Sequence, residues 1–139
     1  MKHRIAAALG TGALLVAGAL QAPAAFAAPA ATSCLGASCN GLNPANTTCQ
    51  SDARTVKTGP FIGMELRYSP SCRAAWGRFP HAPKNSRIDV RNSQGKKYTT
   101  CGPSGGGTYF SVMVNDKDVK AWACGVFDNG DQTECTGSY

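Results

Sequence analysis

Glu65-Leu-Arg-Tyr-Ser-Pro-Ser-Cys-Arg-Ala-Ala-Trp-Gly-Arg78 is the stretch on which the reading of this chain turns. Met64, Leu66 and Tyr68 alternate with Glu65 and Arg67, the two-residue period of a half-buried strand. Ser69-Pro70-Ser71 is turn chemistry, because proline fixes φ and donates nothing to a ladder. Cys72, Ala74 and Trp76 then alternate with Arg73, Ala75 and Gly77. A fold-back about residue 70 sets Tyr68 opposite Cys72, Leu66 opposite Ala74 and Met64 opposite Trp76. All three pairs then share one face, and such cross-strand pairs stabilise a sheet. The competing reading is a short helix over Cys72–Arg78. Either way the stretch speaks to fold more than to activity.

Working outward, Ala53–Thr58 reads as a short strand, broken by Gly59-Pro60. Pro80-His81-Ala82-Pro83 reads as an extended connection. Arg87–Arg91 alternates, with Ile88 and Val90 inward and Arg87, Asp89 and Arg91 outward. Asn92–Gly95 turns the chain into Lys96–Cys101, and Gly102–Gly107 is a flexible loop. Thr108–Val114 and Val119–Phe127 read as strong strands joined by Asn115-Asp116-Lys117-Asp118. Asp128-Asn129-Gly130-Asp131 carries the Asn-Gly hairpin signal, since both residues tolerate positive φ. Counting outward from it, Cys124 falls opposite Cys135, at a separation that suits a disulfide. About seven strands and no helical period predict an all-β fold, a small disulfide-stapled β-sandwich or partly open barrel.

The first segment is not part of that fold. Met1-Lys2-His3-Arg4 is basic, Ile5–Leu20 is apolar, and Ala25-Phe26-Ala27 is a small-residue cleavage pattern. Residues 1–27 therefore read as a secretory signal peptide, and the expected destination is extracellular. Residues 28–33 read as a flexible Ala/Pro/Ser/Thr tail, free or ordered on a partner, and 34–139 as one secreted domain. No membrane anchor is expected. Two of the 14 basic residues lie in the leader, so against 8 acids the net charge falls from +6 to +4 on its removal.

All 7 cysteines lie beyond the leader, and disulfides persist where a signal peptide delivers a chain. Each contributes ~2–4 kcal/mol by restricting the unfolded state. Besides Cys124–Cys135, the pairs Cys49–Cys72 and Cys34–Cys39 are expected, leaving Cys101 unpaired, although spacing alone does not select among the possible maps. Metal binding is the weaker reading of these cysteines, because no Cys-x-x-Cys pair occurs.

Four blocks taken together resemble one family. They are Cys34-x4-Cys39-Asn-Gly-x-Asn-Pro44, Cys49-x2-Asp52-Ala53-x-Thr55-Val56, the stretch Glu65–Arg78, and Met113-Val114. The chain is similar in them to the small secreted actinobacterial proteins catalogued as domain of unknown function 2690. The resemblance covers nearly all of the chain beyond the leader, with Gly77 standing where alanine is commoner. It implies secretion and a cysteine-stapled β fold, and it brings no catalytic residues.

Catalysis needs a base, a nucleophile or a metal held in geometry. His81, the one histidine beyond the leader, sits between prolines as a loop spacer. Glu65, flanked on its own face by Arg67, reads as half of a structural ion pair. Gly102–Gly107 lacks the Gly-Lys-Ser/Thr of a phosphate loop, and no aromatic residues interleave with basic ones as a nucleic-acid platform needs. No enzyme activity, cofactor or nucleic-acid partner is expected. Arg67, Arg73, Arg78, Arg87 and Arg91 form a candidate binding stripe on neighbouring strands, against the plainer reading of a solvated face.

The favoured function is a non-catalytic interaction module, a small adaptor or subunit docking other secreted proteins into a larger extracellular assembly, an antibacterial toxin complex among the candidates. The alternatives are a free-standing protease inhibitor or antimicrobial effector, with Ser69–Ala75 presenting Arg73, and a binder of anionic cell-wall polymer.

Overall fold

The computed structural model describes residues 18, 21–28 and 30–139. Most of the segment read as a leader lies outside the described residues. Nine strands follow: β1 (Arg54–Thr58), β2 (Glu65–Ser69), β3 (Ala74–Ala82), β4 (Arg87–Asn92), β5 (Lys97–Cys101), β6 (Gly107–Phe110), β7 (Val114–Asn115), β8 (Ala121–Phe127) and β9 (Gln132–Cys135). One sheet has the order β1-β2-β3-β6, with β7 also on β3, and the other β5-β4-β8-β9. All pairings are antiparallel. The two open sheets pack face to face as a sandwich and do not close into a barrel.

The inter-sheet core holds Met64, Leu66, Ala75, Phe79, Ile88, Val90, Val114 and Ala123, all without exposed surface. Gly77 is part of why the sheets approach so closely. A Cβ there would stand 2.6 Å from Ile88 Cγ2, 2.9 Å from Ala123 Cβ and 2.9 Å from Met64 Cε.

The β2–β3 hairpin forms, but not in the expected register. Leu66 pairs with Gly77, Arg67 with Trp76 and Ser69 with Ala74. The turn therefore spans Pro70–Arg73 and is closed by Arg73 at φ 46°. Relative to a fold-back at residue 70 the register moves by an odd number of residues, which transfers one strand to the opposite face. Trp76 and Ala74 thus lie on the outer face, away from Leu66. Asp52 holds the turn, accepting from Ser69 Oγ at 2.6 Å and Ser71 N–H at 2.8 Å. Burial alone would raise the Asp52 carboxyl, but these bonds hold it below its ordinary value.

What covers Trp76 is the cysteine-rich segment. It forms three short 3-10 turns, Gly36–Cys39, Pro44–Asn46 and Thr48–Asp52, and disulfides Cys34–Cys39 and Cys49–Cys72 tie it down. A second apolar cluster results, made of Cys39, Cys49, Cys72, Ala74, Trp76 and Met113. Met113 also explains why the expected strand Thr108–Val114 breaks. Its N–H donates to Leu42 O at 2.9 Å and its carbonyl accepts from Gly41 N–H at 2.9 Å. The backbone there serves the cap, and Gly77 N–H is satisfied by Ser111 Oγ at 2.9 Å. The segment read as a tail is tethered as well, since Thr32 bridges to Thr47.

The second hairpin has the counted register, Cys124 opposite Cys135, and the two are disulfide-bonded. Asp128, Asn129 and Gly130 all take positive φ in its turn. Pro80 and His81 belong to β3 itself rather than to a connection. A proline is accommodated there because the β3–β6 register shifts between Phe79 and Ala82.

Candidate functional site

Directly opposed residues of an antiparallel pair share a face. The outer face of the first sheet therefore carries Glu65 and Arg67 on β2, Trp76 and Arg78 on β3, and Phe110 on β6. The cysteine-stapled cap covers only part of this face. At its edge a groove of about 410 Å³ opens, lined by Pro44, Gln50, Arg67, Trp76, Arg78 and Phe110.

Both guanidinium groups in the groove are positioned by the sheet. Arg78 Nη1 donates to Glu65 Oε2 at 2.9 Å. Thr55 Oγ1 donates to the same carboxylate oxygen at 3.3 Å and accepts from Arg67 Nη1 at 3.0 Å. Arg67 Nη2 reaches Ala53 O at 3.0 Å. Glu65 thus pairs with Arg78 and not with Arg67, because Arg78 is its cross-strand partner. With one carboxylate beside two guanidinium groups, the site keeps an excess positive charge with donors to spare, beside the ring of Phe110. Such fixed forks suit a carboxylate or another planar anion.

The five-arginine stripe does not exist as one surface. Arg87 and Arg91 lie on β4 of the other sheet. Arg91 bonds Asp89 at 3.3 Å, and Lys97 adds a second ion pair to Asp89 at 3.2 Å. Asp89 faces away from the inter-sheet core yet is buried. Burial would push its carboxyl up, but bonds from Thr99, Lys97 and Arg91 hold it low. Arg73 sits in the β2–β3 turn with left-handed backbone, bonded to Asp118 at 2.7 Å. Only Arg67 and Arg78 come together.

His81 is exposed on β3 and Cys101 is an exposed free thiol at the end of β5. The sulfurs of Cys34, Cys39, Cys49 and Cys72 lie within 4.8 Å of one another. Joined as two disulfides they offer no thiolate to a metal.

Several residues were not visible in the sequence as parts of a site. Phe110 and Trp76 line the groove only because of the register. Phe61, 88% exposed, is held out on the β1–β2 loop by a buried carboxylate. Glu134 on β9 accepts from the N–H groups of Phe61, Ile62 and Met64, the last at 3.1 Å. Gly59 leaves room for that carboxylate, since a Cβ there would stand 2.6 Å from Glu134 Cδ. No motif links residue 134 to residue 61.

The family model described as a protein of unknown function, DUF2690, matches residues 37–124. No curated protein and no solved structure matches. The match contains both cysteines of Cys49–Cys72 and one member each of the other two pairs. It leaves out β9 and with it Glu134.

Proposed function

The chain belongs to the DUF2690 family of proteins of unknown function, and from its outer-sheet groove we propose that it is a secreted, non-catalytic interaction module. In this reading it is a small adaptor or subunit of a larger extracellular assembly, and an acidic segment of a partner protein seats in the groove. Arg67 and Arg78 pair with the partner's carboxylates while Phe110 and the edge of Trp76 meet an apolar side chain. The observation that carries the reading is the pair of guanidinium groups fixed by Glu65, Thr55 and Ala53 beside an aromatic ring. Groups already immobilised lose little side-chain entropy on binding, and Arg with aromatic residues is the usual make-up of interface anchors. Secretion is supported by the leader pattern and by three disulfides that need an oxidising compartment.

The test is capture of the tagged protein from native culture supernatant, compared with Arg67→Glu/Arg78→Glu. A stoichiometric partner, cross-linked through a photoreactive residue at position 110 and lost in the double variant, is expected. A lone monomer, or a partner retained by the double variant, overturns the reading. A wall-polymer binder would use the same arginines. Pelleting with purified cell walls that weakens steeply with salt distinguishes that case.

A further inference from the structure

On the other side of the β2–β3 turn a second cleft of about 470 Å³ is lined by Tyr68, Arg73, Asp116, Asp118, Lys120 and Tyr139. Asp116 is only 6% exposed, and its Oδ2 has no hydrogen-bond partner among the described residues. Buried carboxylate oxygens without a donor are uncommon and costly. The backbone around it is nevertheless tightly placed. Asp116 N–H donates to Arg73 O at 3.0 Å, Ser93 N–H to Lys120 O at 2.8 Å, and Lys120 N–H to Ser93 Oγ at 3.1 Å. Arg73 gives its bond to Asp118 at 2.7 Å and none to Asp116 Oδ2.

The charges in the cleft select the kind of occupant. Arg73 and Lys120 balance Asp118 and an ionised Asp116. A cationic ligand would meet two cations and an anionic ligand two carboxylates. A neutral ligand rich in hydroxyl groups avoids both, because each hydroxyl can donate to Asp116 and accept from Lys120 or Ser93. Tyr68 and Tyr139, with ring centroids 4.9 Å apart, add an apolar wall of the kind that C–H faces of a pyranose ring pack against. We propose that this cleft binds a neutral saccharide, with the Asp116 carboxylate accepting from sugar hydroxyls and the two tyrosines packing on the ring. The site is separate from the arginine groove and stands or falls independently of it.

Burial pushes the Asp116 carboxyl up to about 7, with Lys120 and Arg73 acting against the rise. The ionised form is the stronger acceptor, so saccharide affinity should increase as pH rises through that value. Asp118 and the two tyrosines are the other titratable groups facing it.

The experiment is an amide-shift titration of the isotopically labelled protein with chitotriose, maltotriose and methylammonium chloride. The expected result is saturable shifts at Val119, Lys120 and Tyr139 with one of the oligosaccharides. A dissociation constant of about 5 mM or tighter is expected at pH 8, weaker at pH 5.5. Asp116→Asn should weaken binding roughly tenfold or more, the size of a lost charge-assisted hydrogen bond, while Arg78→Ala binds as the unaltered protein does. If neither sugar gives saturation, if Asp116→Asn binds equally well, or if only the ammonium shifts these amides, the proposal is wrong. The shift map on the unaltered protein decides the location even if the Asn variant folds poorly.

Discussion

The two faces of the first sheet are built on different principles. The inner face meets the second sheet through Leu66, Ala75, Phe79 and their partners, a core made of regular strands and side chains alone. The outer face meets a segment of 3-10 turns that has no ladder to offer, and its core is half cysteine. Regular elements bring their backbone hydrogen bonds with them, so burying apolar surface between them suffices. An irregular segment must be fastened residue by residue. Here the fastening is two disulfides, the Thr32–Thr47 bridge and the Met113 bonds. Two of the three disulfides stand where regular structure is missing, while the third, Cys124–Cys135, joins two paired strands.

The sharpest way to break this contrast is a pair of truncations. Phe79→Ala and Trp76→Ala should each cost about 3–5 kcal/mol, as large aromatic losses in packed cores do. They should differ in their dependence on the cap. In a Cys49→Ser/Cys72→Ser background the cost of Trp76→Ala should shrink by more than half, while that of Phe79→Ala stays. Urea unfolding of the full mutant cycle measures this, and equal costs in both backgrounds would show that the outer core survives without its staple. The double serine change itself should cost about 2–4 kcal/mol, with red-shifted tryptophan emission as Trp76 becomes wet.

Next in size is Gly77→Ala. The added methyl has no room between Ile88, Ala123 and Met64, so about 1–3 kcal/mol should be lost to overpacking. An unchanged melting temperature would mean that the sheets move apart at little cost.

The smallest effect is read by pH. The Asp116 carboxyl, ordinarily at 3.8, stands at about 7 in the folded protein because it is buried. Between these values the native state holds a proton that the unfolded state has released. Stability contributed by that proton is present at low pH and lost as pH rises towards 7. A fall of at most a few kcal/mol in unfolding free energy from pH 5 to pH 8 is expected, and Asp116→Asn should flatten it. Asp89 and Asp52 have the opposite sign, since both are held low, and they weaken the fold only as pH falls into the acid range.

How much of this was legible depended on whether local chemistry decided the geometry. Asn129-Gly130 constrains a turn by itself, so the Cys124–Cys135 register followed from counting. In the β2–β3 hairpin the turn is decided from outside. Asp52 grips Ser69 and Ser71, Cys49 ties down Cys72, and Arg73 adopts φ 46°. No residue type in Pro70–Arg73 announces that conformation, so the register and the face of Trp76 were misread. The same error hid the groove, because Arg67, Trp76 and Arg78 share a face only in the true register. The break after Phe110 was invisible for a similar reason, its cause being the backbone of Gly41 and Leu42 some seventy residues earlier. Placing Arg87 and Arg91 required knowing that β4 belongs to the other sheet, which alternation alone does not say.

The Glu134 carboxylate has a consequence for the order of events as the chain emerges. The β1–β2 loop is made early, yet the group that fastens it lies 70 to 73 residues later. Until β9 has been delivered and has paired with β8, the N–H groups of Phe61, Ile62 and Met64 lack their native acceptor and bond to water instead. The loop that displays Phe61 is therefore among the last parts of the molecule to set, and contacts this distant in sequence slow folding. A chain stopped before Glu134 would carry every residue of the family match and still hold that loop unfastened.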